Sequence, residues 1–244
     1  MSIVDFHYDV AIVGAGPVGG YLATKMREHG HSVLIIEEHD EIGRPFQCAG
    51  LVNPDAMSKV SLEGTVLTPI WGARIHGPSG TPVEIGDPNR IRTWSVCRKK
   101  FDETIVRRAV EEGSDIWLSS IPEDVEIGNE YALLKVRRGD VSVNVQCRIV
   151  CGCDGAHSWV RKKFRMGRPK EMMVGFQVEV TGYPGKEGVL DMYTGSGIAP
   201  GFFAWAIPSG STTRVGMWSR PDLLEGVSCE GLINRLMGDS IWTE

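Results

Sequence analysis

Several features that would place this chain in other protein classes are missing from its 244 residues. No apolar run reaches the ~18 residues that a transmembrane helix requires, and the amino terminus lacks the charged and apolar regions of a signal peptide. The formal net charge of −5 gives no reason to expect a nucleic-acid partner. Internal repeats and low-complexity linkers are also absent. The composition is that of a globular protein, for which we expect a cytoplasmic location.

The cysteines and histidines lack the spacings that indicate cross-links or metal sites. The six cysteines contain no CxxC pair, and the six histidines form no HExxH or similar ligand pattern. We therefore expect reduced thiols and no metal. Cys151 and Cys153 alternate with Gly152, so both should point to one face of a strand and belong to a core.

The first recognisable motif lies near the amino terminus, where a strand, a glycine-rich turn, a helix and a second strand follow one another. The turn is Gly14-Ala15-Gly16-Pro17-Val18-Gly19, and the second strand ends at Glu37. Gly14 permits a tight turn, Gly16 lets a pyrophosphate approach the backbone, and Gly19 brings the helix close to the strand. The helix amino terminus offers free N–H groups to phosphates, and Glu37 is placed to bind a ribose diol. The pattern predicts a bound dinucleotide, against a turn with only a structural role.

Periodicity predicts further elements along the chain. Helices are expected over Pro54–Val60 and Phe101–Glu112, and hairpins around Pro78-Ser79-Gly80 and Arg138-Gly139-Asp140. From about Met172 the pattern changes to successive antiparallel strands, followed by one helix. These strands are Val174–Val180, Val189–Tyr193, Phe202–Ile207 and Thr213–Trp218, and the helix is Glu225–Met237.

Three motifs in this order resemble the FAD-dependent oxidoreductases of the p-hydroxybenzoate hydroxylase fold. They are the glycine-rich turn, the Val96 to Asp102 segment before a helix, and the Cys153 to Arg161 segment after a hairpin. The resemblance implies an α/β fold, with a Rossmann-like FAD-binding domain and an interleaved antiparallel-sheet substrate domain.

Two other segments resemble the geranylgeranyl reductase branch of that group. Gly43 to Leu51 is similar to the branch's cysteine-containing loop beside the flavin. Pro200 to Pro208 is similar to its PxxYxWxFP substrate motif, with Phe203 in place of Tyr and Ile207 in place of Phe. The resemblance runs over nearly the whole chain.

The domain assignment follows from these motifs. Residues 1–167 are assigned to the FAD-binding domain, with a β-hairpin insertion near 68–92, and residues 168–244 to the start of the substrate domain. The later strand and Gly-Asp-Ala motif of this fold are not found, because Gly238-Asp239 follows an amphipathic helix. We therefore expect an amino-terminal fragment, whose FAD binding is in question.

Spacing and resemblance together predict the site residues. The predicted cofactor-binding residues are Gly14, Gly16, Gly19, Glu37, Glu38, Arg44, Ala49, Arg98, Asp154 and Gly155.

Several of these assignments have alternatives. Arg98 and Arg44 are contacts of the cofactor or surface charges, and Asp154 contacts the nucleotide or only forms a turn. Cys48, the candidate catalytic residue, lies in a polar loop and is expected near the flavin, as a lining group more than a proton donor. Phe203 and Trp205 share one strand face, as a wall for an apolar substrate or as sheet core.

The function implied by the resemblance is reduction of isolated C=C bonds in a geranylgeranyl or polyprenyl lipid, with FAD as the cofactor. NAD(P)H and ferredoxin remain alternative reductants. The basic run Arg161 to Arg165 is interpreted as a solvated face, with contact to phospholipid headgroups as the alternative. The alternative enzymatic function is that of a flavin-dependent aromatic monooxygenase or halogenase. The alternative without catalysis is a nucleotide-binding module.

Overall fold

The computed structural model describes residues 4–78 and 80–239. The strands in this part of the chain are β1 Phe6–Val13, β2 Val33–Ile36, β3 Leu51–Val52, β4 Val66–Ile70, β5 Gly72–His76, β6 Val83–Gly86, β7 Thr93–Val96, β8 Asp115–Trp117, β9 Ser120–Ile127, β10 Ala132–Arg138, β11 Val141–Gly152, β12 Val174–Val180, β13 Val189–Thr194, β14 Phe203–Ser209 and β15 Thr212–Ser219. The α-helices are α1 Pro17–Glu28, α2 Pro54–Val60, α3 Arg98–Glu111, α4 Trp159–Lys163 and α5 Cys229–Asp239.

The chain divides into two compact units, each built from two segments. Unit 1 is Met1–Phe46 with Arg98–Arg168, and unit 2 is Gln47–Cys97 with Pro169–Glu244. The sequence assignment gave residues 47–97 to the first domain, whereas the structure places them in unit 2. The reason is pairing at long range: β5 lies parallel to β13, so the hairpin near 68–92 extends the sheet of unit 2. Local periodicity carries no information about such a partner.

Unit 1 has one six-stranded sheet in the order β8-β2-β1-β11-β10-β9. Strands β8, β2, β1 and β11 are parallel neighbours, and β11, β10 and β9 are antiparallel. Along β1, Val10 and Ile12 pack on one face with Ala23 of α1 and Val106 of α3, whereas Ala11 packs on the other face. A strand covered on both faces needs apolar residues at every position, which explains its continuous apolar run.

Unit 2 has a six-stranded sheet in the order β12-β15-β14-β13-β5-β6 and a three-stranded sheet in the order β3-β7-β4. On one face of the larger sheet, Ala204, Ala206 and Met217 pack against Ile233 of α5. Because side chains alternate along a strand, the residues between them, including Trp205, point to the opposite face. One face of the sheet therefore packs into the core of unit 2, and the opposite face carries aromatic side chains.

Most predicted elements are confirmed, and the helix starts are the main differences. Strands β12 to β15 and the antiparallel hairpin of β5 and β6 are found as expected, although Ser79 of its turn lies outside the described residues. Helix α3 begins at Arg98 instead of Phe101. Helix α5 begins at Cys229, because Glu225 and Gly226 both adopt positive φ and form a turn.

Among the described residues, no helix has the length and the apolar character needed to pass through a lipid bilayer. The described ranges also contain no cluster of side chains suited to a metal ion.

Candidate functional site

Three parallel strands of unit 1 end side by side, and seven of the ten predicted cofactor residues follow these ends. Val13 of β1 is paired with Ile36 of β2 and with Gly152 of β11. The Gly14 N–H donates to the Ile36 carbonyl at 2.8 Å, and the Cys153 N–H donates to the Val13 carbonyl at 2.7 Å. Strand β1 has its helical crossover partner β2 on one side and β11 on the other. The carboxyl edge at such a change of direction is where α/β sheets bind ligands.

The glycine-rich turn is held by contacts that leave no room for a side chain at two of its positions. Gly14 has a φ of +101°, and a Cβ there would lie 2.4 Å from the Cys153 carbonyl oxygen. A Cβ on Gly19 would lie 2.0 Å from the carbonyl oxygen of Gly14. Gly14 is thus required because the turn lies close to the backbone that follows β11. Gly19 is required because α1 lies close to the backbone of the turn.

Gly16 has the opposite environment. Apart from the local backbone and its two chain neighbours, no atom of the described residues lies within 4 Å of the place that its Cβ would take. Gly16 is also the N-cap of α1, and within the described residues its helix end has no side-chain cap. Open space beside uncapped helical N–H groups suits a pyrophosphate, which would fill the space and accept those hydrogen bonds. The turn therefore fits the diphosphate of a dinucleotide.

The Glu37 carboxylate is tied to the same turn. Its Oε2 accepts from the Ala15 N–H at 2.7 Å, and its Oε1 accepts from the His39 N–H at 3.0 Å, with the His39 ring Nδ1 at 2.6 Å. The side chain is 12% exposed. A carboxylate oxygen can accept more than one hydrogen bond, so binding of a ribose diol remains compatible with these contacts. Glu38 next to it is exposed.

Asp154 holds the turn that follows β11. Its Oδ2 accepts from the Val160 N–H at 3.0 Å, and the Ser158 hydroxyl accepts from the Arg161 N–H at 2.9 Å, so the two side chains cap α4. The other oxygen, Oδ1, is buried and has no hydrogen-bond partner among the described residues. Gly155 is exposed with a φ of +70°. Asp154 is a structural residue of this turn, and its predicted contact with a nucleotide stays a prediction.

Arg98 opens α3 and forms a bidentate ion pair that the sequence analysis did not include. Its Nε and NH2 donate to Asp102 at 3.0 and 2.8 Å, and Asp102 is buried. Burial raises the pKa of the Asp102 carboxyl, and the Arg98 hydrogen bonds lower it by less. The spacing of four residues on a helix could have indicated this pair. Arg44 is exposed in the loop before unit 2 begins.

Cys48 lies in unit 2, in the segment Gln47–Gly50, which we name the cysteine loop. Its side chain is exposed, as predicted for a residue of a polar loop, and its Sγ accepts from the Gly50 N–H at 3.4 Å. The other cysteines, all within the described residues, are buried or half-buried. Burial raises the pKa of both Cys147 and Cys153 to about 11, so these thiols stay protonated at neutral pH. Cys151 and Cys153 pack against the core of unit 1, as predicted.

Phe203 and Trp205 belong to a larger group of rings, which we name the aromatic wall. Trp205 is 5% exposed, and its ring centroid lies 6.3 Å from that of Phe203. Phe202 stacks on Phe203 at 4.4 Å, and Trp218 of β15 meets Trp205 edge-on at 5.5 Å. The aromatic wall is therefore Phe202, Phe203, Trp205 and Trp218. Trp218 was not among the predicted site residues, and the strand pairing brings it to this face.

A family model described as lycopene cyclase protein matches residues 9–211, which is most of the chain. The chain belongs to the lycopene cyclase protein family. This family name labels the group as a whole, and the reaction of each member has to be argued from its own site.

Curated relatives of this family member carry a different name. It is 31% identical to digeranylgeranylglycerophospholipid reductase 2 of Methanothermobacter thermautotrophicus, over 83% of this chain and 54% of the relative. It is 30% identical to digeranylgeranylglycerophospholipid reductase of Picrophilus torridus, over 85% of this chain and 55% of the relative. The chain thus spans about half the length of the curated relatives that it matches. These relatives confirm the predicted resemblance to geranylgeranyl reductases.

Solved structures confirm the predicted fold class of this lycopene cyclase family member. A geranylgeranyl bacteriochlorophyll reductase-like protein of Thermoplasma acidophilum has a TM-score of 0.86 at 24% identity, covering 97% of this chain and 63% of the other. The p-nitrophenol 4-monooxygenase of Pseudomonas putida has a TM-score of 0.71 at 16% identity, covering 95% and 62%. Reductase-like and monooxygenase proteins share the fold, so the fold alone does not choose the chemistry.

Two side chains of unit 2 that the sequence analysis missed hold the cysteine loop. Arg214 of β15 is 3% exposed, and its NH1 donates to the carbonyls of Ala49 at 3.0 Å and Val96 at 3.1 Å. Gln177 of β12 donates to the Cys48 carbonyl at 3.4 Å. Ala49, predicted as a cofactor contact, thus has its carbonyl engaged within unit 2.

A second buried group in unit 2 is centred on Asp191 of β13, whose side chain is 1% exposed. It accepts from Arg74 at 2.5 and 3.0 Å and from the Tyr183 hydroxyl at 2.6 Å, and the His76 ring Nε2 lies 2.6 Å away. Burial raises the pKa of Asp191, but the hydrogen bonds outweigh it and the pKa lies below its usual value. This group faces the core side of the sheet, away from the aromatic wall.

Proposed function

We propose that this chain is the FAD-binding and substrate-binding part of a reductase that saturates C=C bonds of a geranylgeranyl chain in archaeal-type lipid synthesis. The observation that carries the proposal is the aromatic wall. Phe202 and Trp218 are exposed and Phe203 is half-buried, so these three rings offer carbon surface. Trp205 is buried behind them, and its N–H is already donated to Gln177 at 3.1 Å. A long hydrocarbon suits such a surface, whereas a hydroxylated aromatic compound would find few hydrogen-bonding partners on it.

FAD is the proposed cofactor, and the residues at the strand ends of unit 1 fit it. Gly16 and the start of α1 would hold the pyrophosphate, and Glu37 would accept from the ribose hydroxyls. When bound, the flavin would supply the hydride, which an isolated alkene accepts poorly. The names of the relatives as reductases support this chemistry. The electron donor that reduces the flavin is NAD(P)H or ferredoxin.

The role of the protein side chains is orientation and exclusion of water. An unactivated alkene has no polar group for acid–base residues to use, so alignment of the prenyl chain on the aromatic wall governs the rate. A proton from solvent or from a nearby acid completes the addition. We propose that Cys48 lines the reaction site and is not the main proton donor.

The lipid substrate also implies contact with a membrane surface. Lys162, Arg165 and Arg168 are exposed around Met166, whose side chain is 70% exposed. We propose this face for contact with anionic headgroups, which attract basic segments. Sedimentation with vesicles tests it: binding to anionic vesicles that is lost in neutral ones supports the contact, and equal binding to both rejects it.

The decisive experiment is mass spectrometry of a geranylgeranyl lipid after anaerobic incubation with the flavin-loaded protein and dithionite. A gain of ~2 mass units per reduced bond is expected, because a hydride and a proton are added. A Gly16→Val variant, which should not retain flavin, is the control. No gain without oxygen, together with oxygen insertion into an aromatic compound in air, would assign the chain to the monooxygenases instead. No reaction in either case would favour a nucleotide-binding module.

A further inference from the structure

Gln177 lies between the two segments that resemble the geranylgeranyl reductases. Its Oε1 accepts from the Trp205 Nε1–H at 3.1 Å, and its Nε2 donates to the Cys48 carbonyl at 3.4 Å. One half-buried amide therefore joins the aromatic wall to the cysteine loop. All three residues belong to unit 2.

The row of strands explains how the indole reaches this amide. Gln177 is paired with Gly216, and Gly216 is paired with Trp205, so the three residues cross the sheet in one line. A Cβ on Gly216 would lie 2.7 Å from the Trp205 ring. The absent side chain at Gly216 thus makes room for the indole to lie across β15 and meet Gln177.

The chemistry of the partners fixes the orientation of the Gln177 amide. An indole N–H only donates, so the amide oxygen must face Trp205. The amide nitrogen is then left for the Cys48 carbonyl, which only accepts. Rotating the amide by half a turn would place two donors together at Trp205 and two acceptors together at Cys48. A glutamate at this position would keep the bond to Trp205 and lose the bond to the loop.

The cysteine loop is held more firmly at its next residue. Arg214 binds the Ala49 carbonyl at 3.0 Å and also donates to Glu179 at 3.0 Å. Gly50 has a φ of +76°, and a Cβ there would lie 2.2 Å from the Arg214 NH1. Ala49 is thus a fixed point, while the longer bond to the Cys48 carbonyl leaves that residue the adjustable one.

We propose that Gln177 is a positioning residue that couples occupancy of the aromatic wall to the position of Cys48. A chain that packs on Phe203 or Trp218, whose rings contact the buried Trp205, shifts or tightens the indole bond. The same amide transmits the change to the Cys48 carbonyl. Only the identity of the occupant, a prenyl chain, rests on the proposed function. The link itself follows from the two hydrogen bonds and their direction.

Hydrogen exchange of the segment Gln47–Leu51, followed by mass spectrometry on the full chain without ligand, tests the link. In Gln177→Glu, exchange should be ~5-fold faster than in wild type, the scale of one lost hydrogen bond. Trp205→Phe should speed it by a smaller factor, and the double variant should not exceed Gln177→Glu alone, because both changes break one path. Gln146→Glu, the same substitution on β11 of unit 1, changes no residue of this path and should leave the rate unchanged.

Gln177→Met, which can form neither bond, guards against a folding artefact. Exchange of β12 and β15 must match wild type, and the loop should exchange as fast as in Gln177→Glu. Unchanged loop exchange in both Gln177 variants, or additive effects of the Gln177 and Trp205 changes, would overturn the proposal.

A second arm adds geranylgeraniol at saturating concentration. It should slow loop exchange in wild type but not in Gln177→Glu, although both bind the compound. Equal slowing in the two proteins contradicts the coupling. If geranylgeraniol binds neither protein while the ligand-free results hold, the link between Trp205 and the cysteine loop stands, whereas the proposed substrate and its coupling to the loop are wrong.

Discussion

The candidate cofactor site of unit 1 is formed mainly by backbone, whereas the candidate substrate region of unit 2 is formed by side chains. In unit 1 the strand ends and Gly14, Gly16 and Gly19 shape the space, and Glu37 binds the Ala15 N–H. In unit 2 the indole of Trp205, the amide of Gln177 and the guanidinium of Arg214 make the contacts. A backbone site tolerates little change at its glycines, and a side-chain site can be retuned one residue at a time.

Each unit also contains a buried aspartate paired with an arginine, and the two pKa values move in opposite directions. Burial dominates at Asp102, which accepts from Arg98, and its pKa is raised. At Asp191, burial is outweighed by hydrogen bonds from Arg74, Tyr183 and His76, and the pKa is lowered. The number of donors around a buried carboxylate thus decides the sign of the shift.

The largest loss of stability is expected from placing a side chain where α1 meets the backbone of the glycine-rich turn in unit 1. Gly19→Ala should lower the free energy of unfolding by ~3 kcal/mol, because the new Cβ meets the Gly14 carbonyl. Gly16→Ala is the matched control, and its Cβ enters open space, so a change within ~1 kcal/mol is expected. Urea denaturation of the full chain measures both. Equal effects of the two substitutions would show that the turn is not packed as described.

The next effect compares the two aspartates. Asp191→Asn should cost ~3 kcal/mol, since the amide NH2 would face donors and Arg74 would lose its counter-charge. Asp102→Asn should cost only ~1 kcal/mol, because the raised pKa of Asp102 shows that its charge is weakly stabilised. Urea denaturation at pH 7 gives both values. A larger loss in Asp102→Asn than in Asp191→Asn would reverse the comparison.

The same two variants should respond to pH with opposite slopes. Asp191 has a lowered pKa, so its stabilisation is complete above the usual value of 3.8 and is lost as pH falls through the folded pKa. Asp102 has a raised pKa, so its contribution is complete below 3.8 and declines as pH rises through the folded pKa. From pH 7 to pH 3, the cost of Asp191→Asn should shrink and that of Asp102→Asn should grow. Parallel slopes in urea denaturation would contradict the assigned directions.

These contacts also show what the sequence could and could not predict. The roles of Gly14 and Gly19 are predictable because the turn is encoded in consecutive residues, and the alternation of β14 and β15 gives the face of Trp205. The bonds Gln177–Cys48, Arg214–Ala49 and Arg74–Asp191 join residues 129, 165 and 117 positions apart. Such pairs depend on which strands become neighbours, and local periodicity does not specify that.

The smallest effect, on lipid turnover, is expected from substituting Cys48. Cys48→Ala should keep flavin binding and reduce lipid turnover by less than ~10-fold. The side chains of Gln177 and Arg214 hold the loop by its backbone carbonyls, and the thiol adds only one bond, from the Gly50 N–H at 3.4 Å. Loss of a general acid would instead cost ~10²-fold or more. Steady-state rates with the flavin-loaded protein distinguish the two. A collapse of turnover with intact flavin binding would make Cys48 the proton donor.

The division of work between the units is tested most directly by two variants in two binding assays. Gly16→Val should abolish flavin retention, read from the visible absorbance of the purified protein, because the side chain fills the space for the pyrophosphate. It should leave binding of geranylgeraniol unchanged. Phe203→Ala, which shortens the aromatic wall, should weaken geranylgeraniol binding by ~10-fold and leave flavin absorbance unchanged. Equal flavin absorbance in wild type and Gly16→Val, or loss of both ligands in either variant, would contradict the account.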